Sequence, residues 1–364
     1  MKHPLGTPAV KFRHEVIDPH PPGSLHDILL IADVNGNGRN DIIIGGKQGD
    51  VTLFWYENPS WTRHNMASVP QLEAGGVVLD VNGDGRLDVV AGLGWDGREL
   101  YWFECPPDPR ARWTVHLIED RFSKYHDQTA GDVDGDGQPE ILIASQQAGV
   151  IAYYDIPQDP TISPWPRECC HVIADGMPDV EGLAIADLDG DGRNEILAGP
   201  NVFWPSDDPR KPWRRETFAP GYVQTRAVVA DLDGDGRLEI VLCEGESHPG
   251  RLAWCAPPAW EPHVLRDDLF HPHSLQVADF NGNGLVDIFV GEMGLGENPD
   301  PKMMIYLNQG QGQFEEVIIQ RGIPTHEAKV GDLTGNGRPD IVGKPYYPER
   351  HIDVWFNETS TDGR

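Results

Sequence analysis

Residues 187–195 read DLDGDGRNE, and six further copies of this nine-residue pattern are spread along the 364-residue chain. They are DVNGNGRND from Asp33, DVNGDGRLD from Asp80, DVDGDGQPE from Asp132, DLDGDGRLE from Asp231, DFNGNGLVD from Asp279 and DLTGNGRPD from Asp332. Successive copies start 47, 52, 55, 44, 48 and 53 residues apart, so one unit of about 50 residues fills the sequence. A period of that size, built from strand-like segments, marks a propeller or a related repeat array in which each unit buries its apolar face against its neighbours.

Each copy offers a cage for a hard cation. Oxygen-bearing side chains stand at positions 1, 3, 5 and 9, and the backbone carbonyl of position 7 completes the set. Calcium takes roughly six to eight oxygens in relaxed geometry, which a flexible loop supplies more readily than magnesium's octahedron. The first three copies present Asp33, Asn35, Asn37 and Asp41; Asp80, Asn82, Asp84 and Asp88; and Asp132, Asp134, Asp136 and Glu140. The fourth and fifth present Asp187, Asp189, Asp191 and Glu195, then Asp231, Asp233, Asp235 and Glu239. The last two present Asp279, Asn281, Asn283 and Asp287, then Asp332, Thr334, Asn336 and Asp340; the first and sixth copies carry only two acids each, and the seventh has Thr334 in place of an acid or amide. An EF-hand would need a bidentate Glu at position 12. Here that position holds Ile44, Ala91, Ile143, Ala198, Leu242, Val290 and Gly343, none of which can ligate. The flanks are strand-like too, so the expectation is up to seven structural calcium ions on β-hairpins.

The loops account for 21 of the 58 acidic residues behind the net charge of −29. The acidity is therefore largely metal cage, and it argues against nucleic acid as a partner. No apolar run approaches the length that spans a bilayer, which argues against membrane insertion. The N-terminal MKHPLGTPAVKF lacks the apolar core of a secretory signal, so a cytoplasmic location is expected unless a leader was removed. The five cysteines read as buried thiols rather than a disulfide framework.

The second repeat sets out one unit. AGGVVLD is a short apolar strand, LDVVAGLG a second beyond the ion loop, RELYWFECP a third and RWTVHLIED a fourth. Four antiparallel strands per unit make a propeller blade. Trp55, Trp102, Tyr153 and Trp254 recur on the third strand as inter-blade packing, and His64, His116, His171 and His263 recur on the fourth as structural groups. His14 belongs with them. KFRHEVID has the form of a fourth strand with no blade before it, while the last repeat ends after its third, HIDVWFN. Residues 10–18 are expected to complete blade seven and leave no open sheet edge. The fold expected is an all-β seven-bladed propeller over residues 1–364, with an ion loop between strands one and two of every blade. On these motifs the chain resembles the FG-GAP/VCBS-repeat propellers, whose ions staple hairpins on one face and do no chemistry.

The other face breaks the repeat. Ahead of the ion loops stand His26, Glu73, His126, Glu181, Gln224, His273 and His326. After the second strands come Lys47, Trp95, Gln146, Glu244, His248, Glu292, Lys344 and Tyr346. Polar crowding of this kind around one opening is costly unless a ligand uses it. His126, His273 and His326 with Glu181 form a donor set for one additional divalent metal such as zinc or manganese. Alternatively, a histidine or Tyr125 serves as general base beside a carbonyl or carboxylate, with Lys344 or Arg226 neutralising the enolate. The runs HSLQVADFNGNGLVDIFVGEM and HEAKVGDLTGNGRPDIVGKPY resemble the propeller of aldos-2-ulose dehydratase and of propeller-type rhamnose–glucuronate lyases. That resemblance implies a carbohydrate-active carbon–oxygen lyase or dehydratase, carried by His273, Glu292, His326, Lys344 and Tyr346. Its substrate would be a sugar or uronic-acid glycan. The alternative is a non-catalytic carbohydrate- or protein-binding propeller, a lectin or an integrin-like head.

Overall fold

The computed structural model describes residues 10–360 and arranges them as seven four-stranded antiparallel sheets. Blade one comprises Ser24–Ala32, Asp41–Gln48, Leu53–Glu57 and Thr62–Ala67, and the other six follow in chain order. The first strands of successive blades touch in an unbroken cycle, with Glu327–Gly331 of blade seven returning to Ser24–Ala32. The ring is closed by Phe12–Asp18, which pairs antiparallel with Ile352–Asn357 and becomes the outermost strand of blade seven. Glu15 lies opposite Val354 in that pairing. Among the described residues the only helical piece is the short turn Arg167–Cys169, and no helix is long and apolar enough to cross a membrane.

The second strand of each blade explains why the ring holds. Its side chains alternate between faces, and each face meets a different neighbour. Ile43 packs with Val89 and Phe103 of blade two, whereas Ile42 and Ile44 pack with Val342 and Val354 of blade seven. Buried on both sides, the strand reads as a continuous apolar run, and each such residue contributes about 1.5–3 kcal/mol of burial. The outer histidines lock the periphery. His64, His116, His171 and His263 lie 4.8, 4.3, 4.9 and 4.6 Å from the rings of Trp55, Trp102, Tyr153 and Trp254. His14 on the closing strand repeats the arrangement at 4.9 Å from Trp355, with its Nε2 2.7 Å from Asp353. All five cysteines are free thiols.

The ion loops join strands one and two, at the opposite end of each inner strand from the residues ahead of it. The ninth residue of each loop is its anchor. Asp41 accepts the amide of Val34 at 3.0 Å through one oxygen and that of Asn58 at 2.8 Å through the other, clipping the loop to strand three. Asp88, Asp287 and Asp340 repeat both bonds. In blades three to five the longer Glu140, Glu195 and Glu239 keep only the bond to position 2 among these two. In the same blades three acids converge, as Asp132/Asp134/Asp136, Asp187/Asp189/Glu195 and Asp231/Asp233/Glu239, with one oxygen from each within 4.8 Å of the others. Burial, followed by neighbouring carboxylates, pushes Glu140 and Glu195 up to about 7, and a bound cation would relieve that crowding. The donor sets of these three blades therefore fit calcium.

Candidate active site at the channel mouth

A recurring turn aims side chains at the axis. Leu25, Gln71, Lys124, Asp179, Gln224 and His271 all have positive φ, between 40° and 65°, though none is glycine. Each stands two residues ahead of a buried ionisable side chain: Asp27, Glu73, His126, Glu181, Arg226 and His273. A left-handed non-glycine residue costs on the order of 1–3 kcal/mol, and such strain collects where geometry is functional. Blade seven delivers His326 after Pro324 instead. Register slips between His26 and Ile28, and between Tyr125 and Asp127, accompany the turn. They explain one departure from the sequence expectation. In blade one Asp27 faces the mouth, while His26 turns away, with its Nε2 2.8 Å from the Pro22 carbonyl and its ring edge-on to Phe54.

The mouth is a pocket of about 340 Å³. On one side Lys47 Nζ lies 2.6 Å from Asp27, 2.9 Å from Glu73 and 3.4 Å from the Tyr346 hydroxyl. Burial alone would discharge this amine, but Asp27 and Glu73 hold it firmly cationic. Trp95 forms the rim, 41% exposed, with its ring 5.8 Å from Lys47 Nζ. On the other side His126 Nδ1 sits 2.9 Å from Asp127, and its Nε2 is 3.8 Å from Glu181. Gln146 donates to the same Glu181 oxygen. Burial opposes the charge on His126, yet Glu181, Asp127 and Glu73 together raise it to about 9. Glu181 itself is lifted to about 7, chiefly by burial.

His273 lies beneath the mouth and lines the channel. Its Nδ1 lies 2.7 Å from the His326 carbonyl, an acceptor only, so Nδ1 carries the proton and Nε2 keeps its lone pair. That Nε2 is buried without a hydrogen-bond partner, 3.4 Å from Glu246. Burial, aided by Arg226, lowers His273 to about 4, so the ring is neutral. It stacks on His326 at 4.3 Å, and His326 stacks on Tyr346 at 4.7 Å. Two overlapping donor groups result, His126/Glu181/His273 and Glu246/His273/His326, each with its ligand atoms within 4.8 Å of one another. Unpartnered Nε2 of His273 and Oε2 of Glu181 are the free donors a divalent metal needs, so the residues fit such an ion.

Several expected site residues lie elsewhere. Tyr125 packs among Trp102 and Tyr154, and burial pushes its phenol far above the ordinary range, unsuited to a base. Glu244 pairs with Arg251 at 2.7 Å; Glu292 accepts the amides of Phe270 and Lys302, each at 3.0 Å; His248 packs on Phe270 at 4.7 Å. These three brace loops. Lys344 is fully buried behind His326, 3.3 Å from its Nδ1, and burial holds it down to about 8. Arg226 lies below the mouth, 2.9 Å from Asp127 and 3.5 Å from Glu327, lining the channel. The sequence reading missed Asp27, Lys124 and Glu246, all of which line the mouth. Counting a constant six residues back from each ion loop finds Asp27 together with His126, Glu181, His273 and His326.

Comparison with known proteins places this geometry in a family. The model of the FG-GAP-like repeat matches residues 33–103, 132–198 and 279–343, more than half of the chain. The chain belongs to the FG-GAP-like repeat family. No curated protein matches it. Among solved structures, the Vibrio cholerae biofilm matrix protein Bap1 superimposes with a TM-score of 0.59 at 11% identity, covering 96% of this chain and 91% of that one. An Agrocybe aegerita lectin specific for non-reducing terminal N-acetylglucosamine gives 0.55 at 17% identity, over 93% and 87%. The exotype rhamnogalacturonan lyase YesX gives 0.50 at 13% identity, over 97% and 75%. At such identities the likeness is one of fold. This FG-GAP-like chain shares its propeller with carbohydrate-binding and carbohydrate-cleaving proteins.

Proposed function

We propose that the channel mouth is the active site of a carbon–oxygen lyase or dehydratase that acts by β-elimination on a sugar or uronic acid. One observation carries the reading: two buried imidazoles with ring centroids 6.4 Å apart, His126 lining the mouth and His273 lining the channel beneath it, have their ionisation driven apart, His126 raised to about 9 and His273 lowered to about 4. Surroundings that separate paired titratable groups in this way assign the acid and the base. His273 Nε2 takes the proton from the carbon beside a carbonyl or carboxylate. The released pair forms the carbon–carbon double bond, the carbon–oxygen bond breaks, and His126 Nε2–H protonates the departing oxygen. The 6.4 Å between their ring centroids sets acid and base close enough to serve one substrate. Lys47 and Lys124 provide positive charge at the pocket wall, and Trp95 offers a face for the apolar side of a sugar ring.

Alternatively, the same donors would hold a divalent cation that supplies a Lewis acid for the substrate's carboxylate, in which case their nitrogens would serve as ligands instead of as acid and base. Up to seven calcium ions on the opposite face are proposed as purely structural. The test is a screen of uronic-acid glycans and keto-sugars for the ultraviolet absorbance of an unsaturated product. Product formation supports elimination; tight glycan binding with no product across the panel favours the recognition-only alternative, to which exposed Trp95 also lends itself.

A further inference from the structure

Beside the mouth, between blades four and five, runs a groove of about 550 Å³. Asp179 and Gln224 line both cavities, so the groove opens from the mouth across a ridge made by two of the left-handed turns. Its surface is mixed. Met177 and Val180 give an apolar floor, and Val223 presents an exposed isopropyl group. Tyr222 is almost wholly buried, its ring clamped 3.8 Å beneath Arg251, yet its hydroxyl has no hydrogen-bond partner. Arg215, from the outer strand of blade four, lines the groove and makes no ion pair among the described residues, although its neighbour Arg214 pairs with Glu216 at 2.9 Å.

We propose that this groove is a second sugar subsite, which holds a uronic-acid residue of an oligosaccharide whose neighbouring unit occupies the mouth. An apolar floor and a free guanidinium answer two parts of such a ligand: its C–H face and its carboxylate. Arginine's planar fork suits a carboxylate in two-point contact. The substrate class therefore narrows from any sugar to an acidic oligosaccharide. The inference rests on the mouth being the sugar site.

The test is calorimetric binding of galacturonic acid, its trimer and neutral maltotriose to the wild-type chain, Arg215→Ala and Val223→Glu. Both substitutions are at exposed positions outside the catalytic pair and place no burden on folding. The trimer should bind about tenfold or more tightly than the monomer, equivalent to ~1.4 kcal/mol. Each variant should erase most of that gain without changing the monomer, and maltotriose should show none of it. A trimer-to-monomer ratio unchanged in Arg215→Ala, or a trimer that does not bind wild type, overturns the proposal. The ultraviolet assay on the same mixtures keeps the two readings apart. Chain-length-dependent binding without product sinks only the lyase; product without a chain-length effect sinks only the groove.

Discussion

At the scale of single residues, the site depends on surroundings that set the protonation of two imidazoles. His273→Ala or His326→Ala should abolish turnover while lowering the melting temperature by no more than a few degrees; normal turnover in both would remove the lyase reading. A subtler test exploits Glu181, the largest charge holding His126 protonated. Because His126 is raised above its free value, its acid form persists through neutrality and is lost as pH climbs past about 9. Glu181→Gln removes that support, so the alkaline limb of kcat/KM should move to lower pH while the acid limb stays in place. An unmoved alkaline limb would take the acid role from His126. Most of this residue set was legible in the sequence because His126, Glu181, His273 and His326 sit at one constant offset from a strong motif. Asp27 stands at the same offset, but His26 beside it is the more conspicuous donor, and the bulge at blade one is what shows that Asp27 is the residue aimed at the mouth. Glu244, His248 and Glu292 lie outside the mouth's lining, where polar residues after a strand brace loops.

At the scale of the blade element, the ion loops were legible because position, spacing and residue type all agreed. The loops differ in what their ninth residue does. Where it is Asp, both oxygens are spent on backbone amides; where it is Glu, the bond to strand three is lost, and in blades four and five the carboxylate joins the converging acids. Calcium should therefore bind most tightly in blades three to five, and chelation should lower the melting temperature sharply, since a ligand confined to the folded state stabilises it by mass action. The pH dependence has a definite sign. Glu140 and Glu195 are raised to about 7 in the metal-free fold, above the ordinary carboxyl value, so the fold takes up protons that the unfolded chain does not. From these groups the metal-free ring gains stability as pH falls from about 7 towards the unfolded value of about 4.5, and loses it as pH rises again. Calcium competes with those protons. The calcium-induced gain in melting temperature should thus be large at pH 8 and shrink markedly by pH 5.5; equal gains at both values would exclude these carboxylates as ligands.

At the scale of the whole molecule, closure ties the two faces together. The inner strands form an unbroken cycle, and the mouth draws on blades from all around it, so His126 and His273 hold their separation only while the ring is shut. The outermost strand of blade seven is the only one supplied from the other end of the sequence. Removing residues 1–18 would uncover the edge of Ile352–Asn357, a row of free backbone donors and acceptors backed by an apolar strand, and would strip His14 from Trp355. Exposed edges of this kind recruit other chains. The truncated protein should melt at lower temperature, self-associate with rising concentration and lose activity, although every mouth residue remains in its sequence. Adding residues 10–18 back as a peptide should restore both the monomer and the turnover, because the lost pairing is antiparallel and needs no covalent link. His14→Ala alone should cost far less, since the strand's backbone ladder survives. A truncated chain that stayed monomeric and fully active would mean that six complete blades and an open seventh hold the mouth as well as the closed ring does.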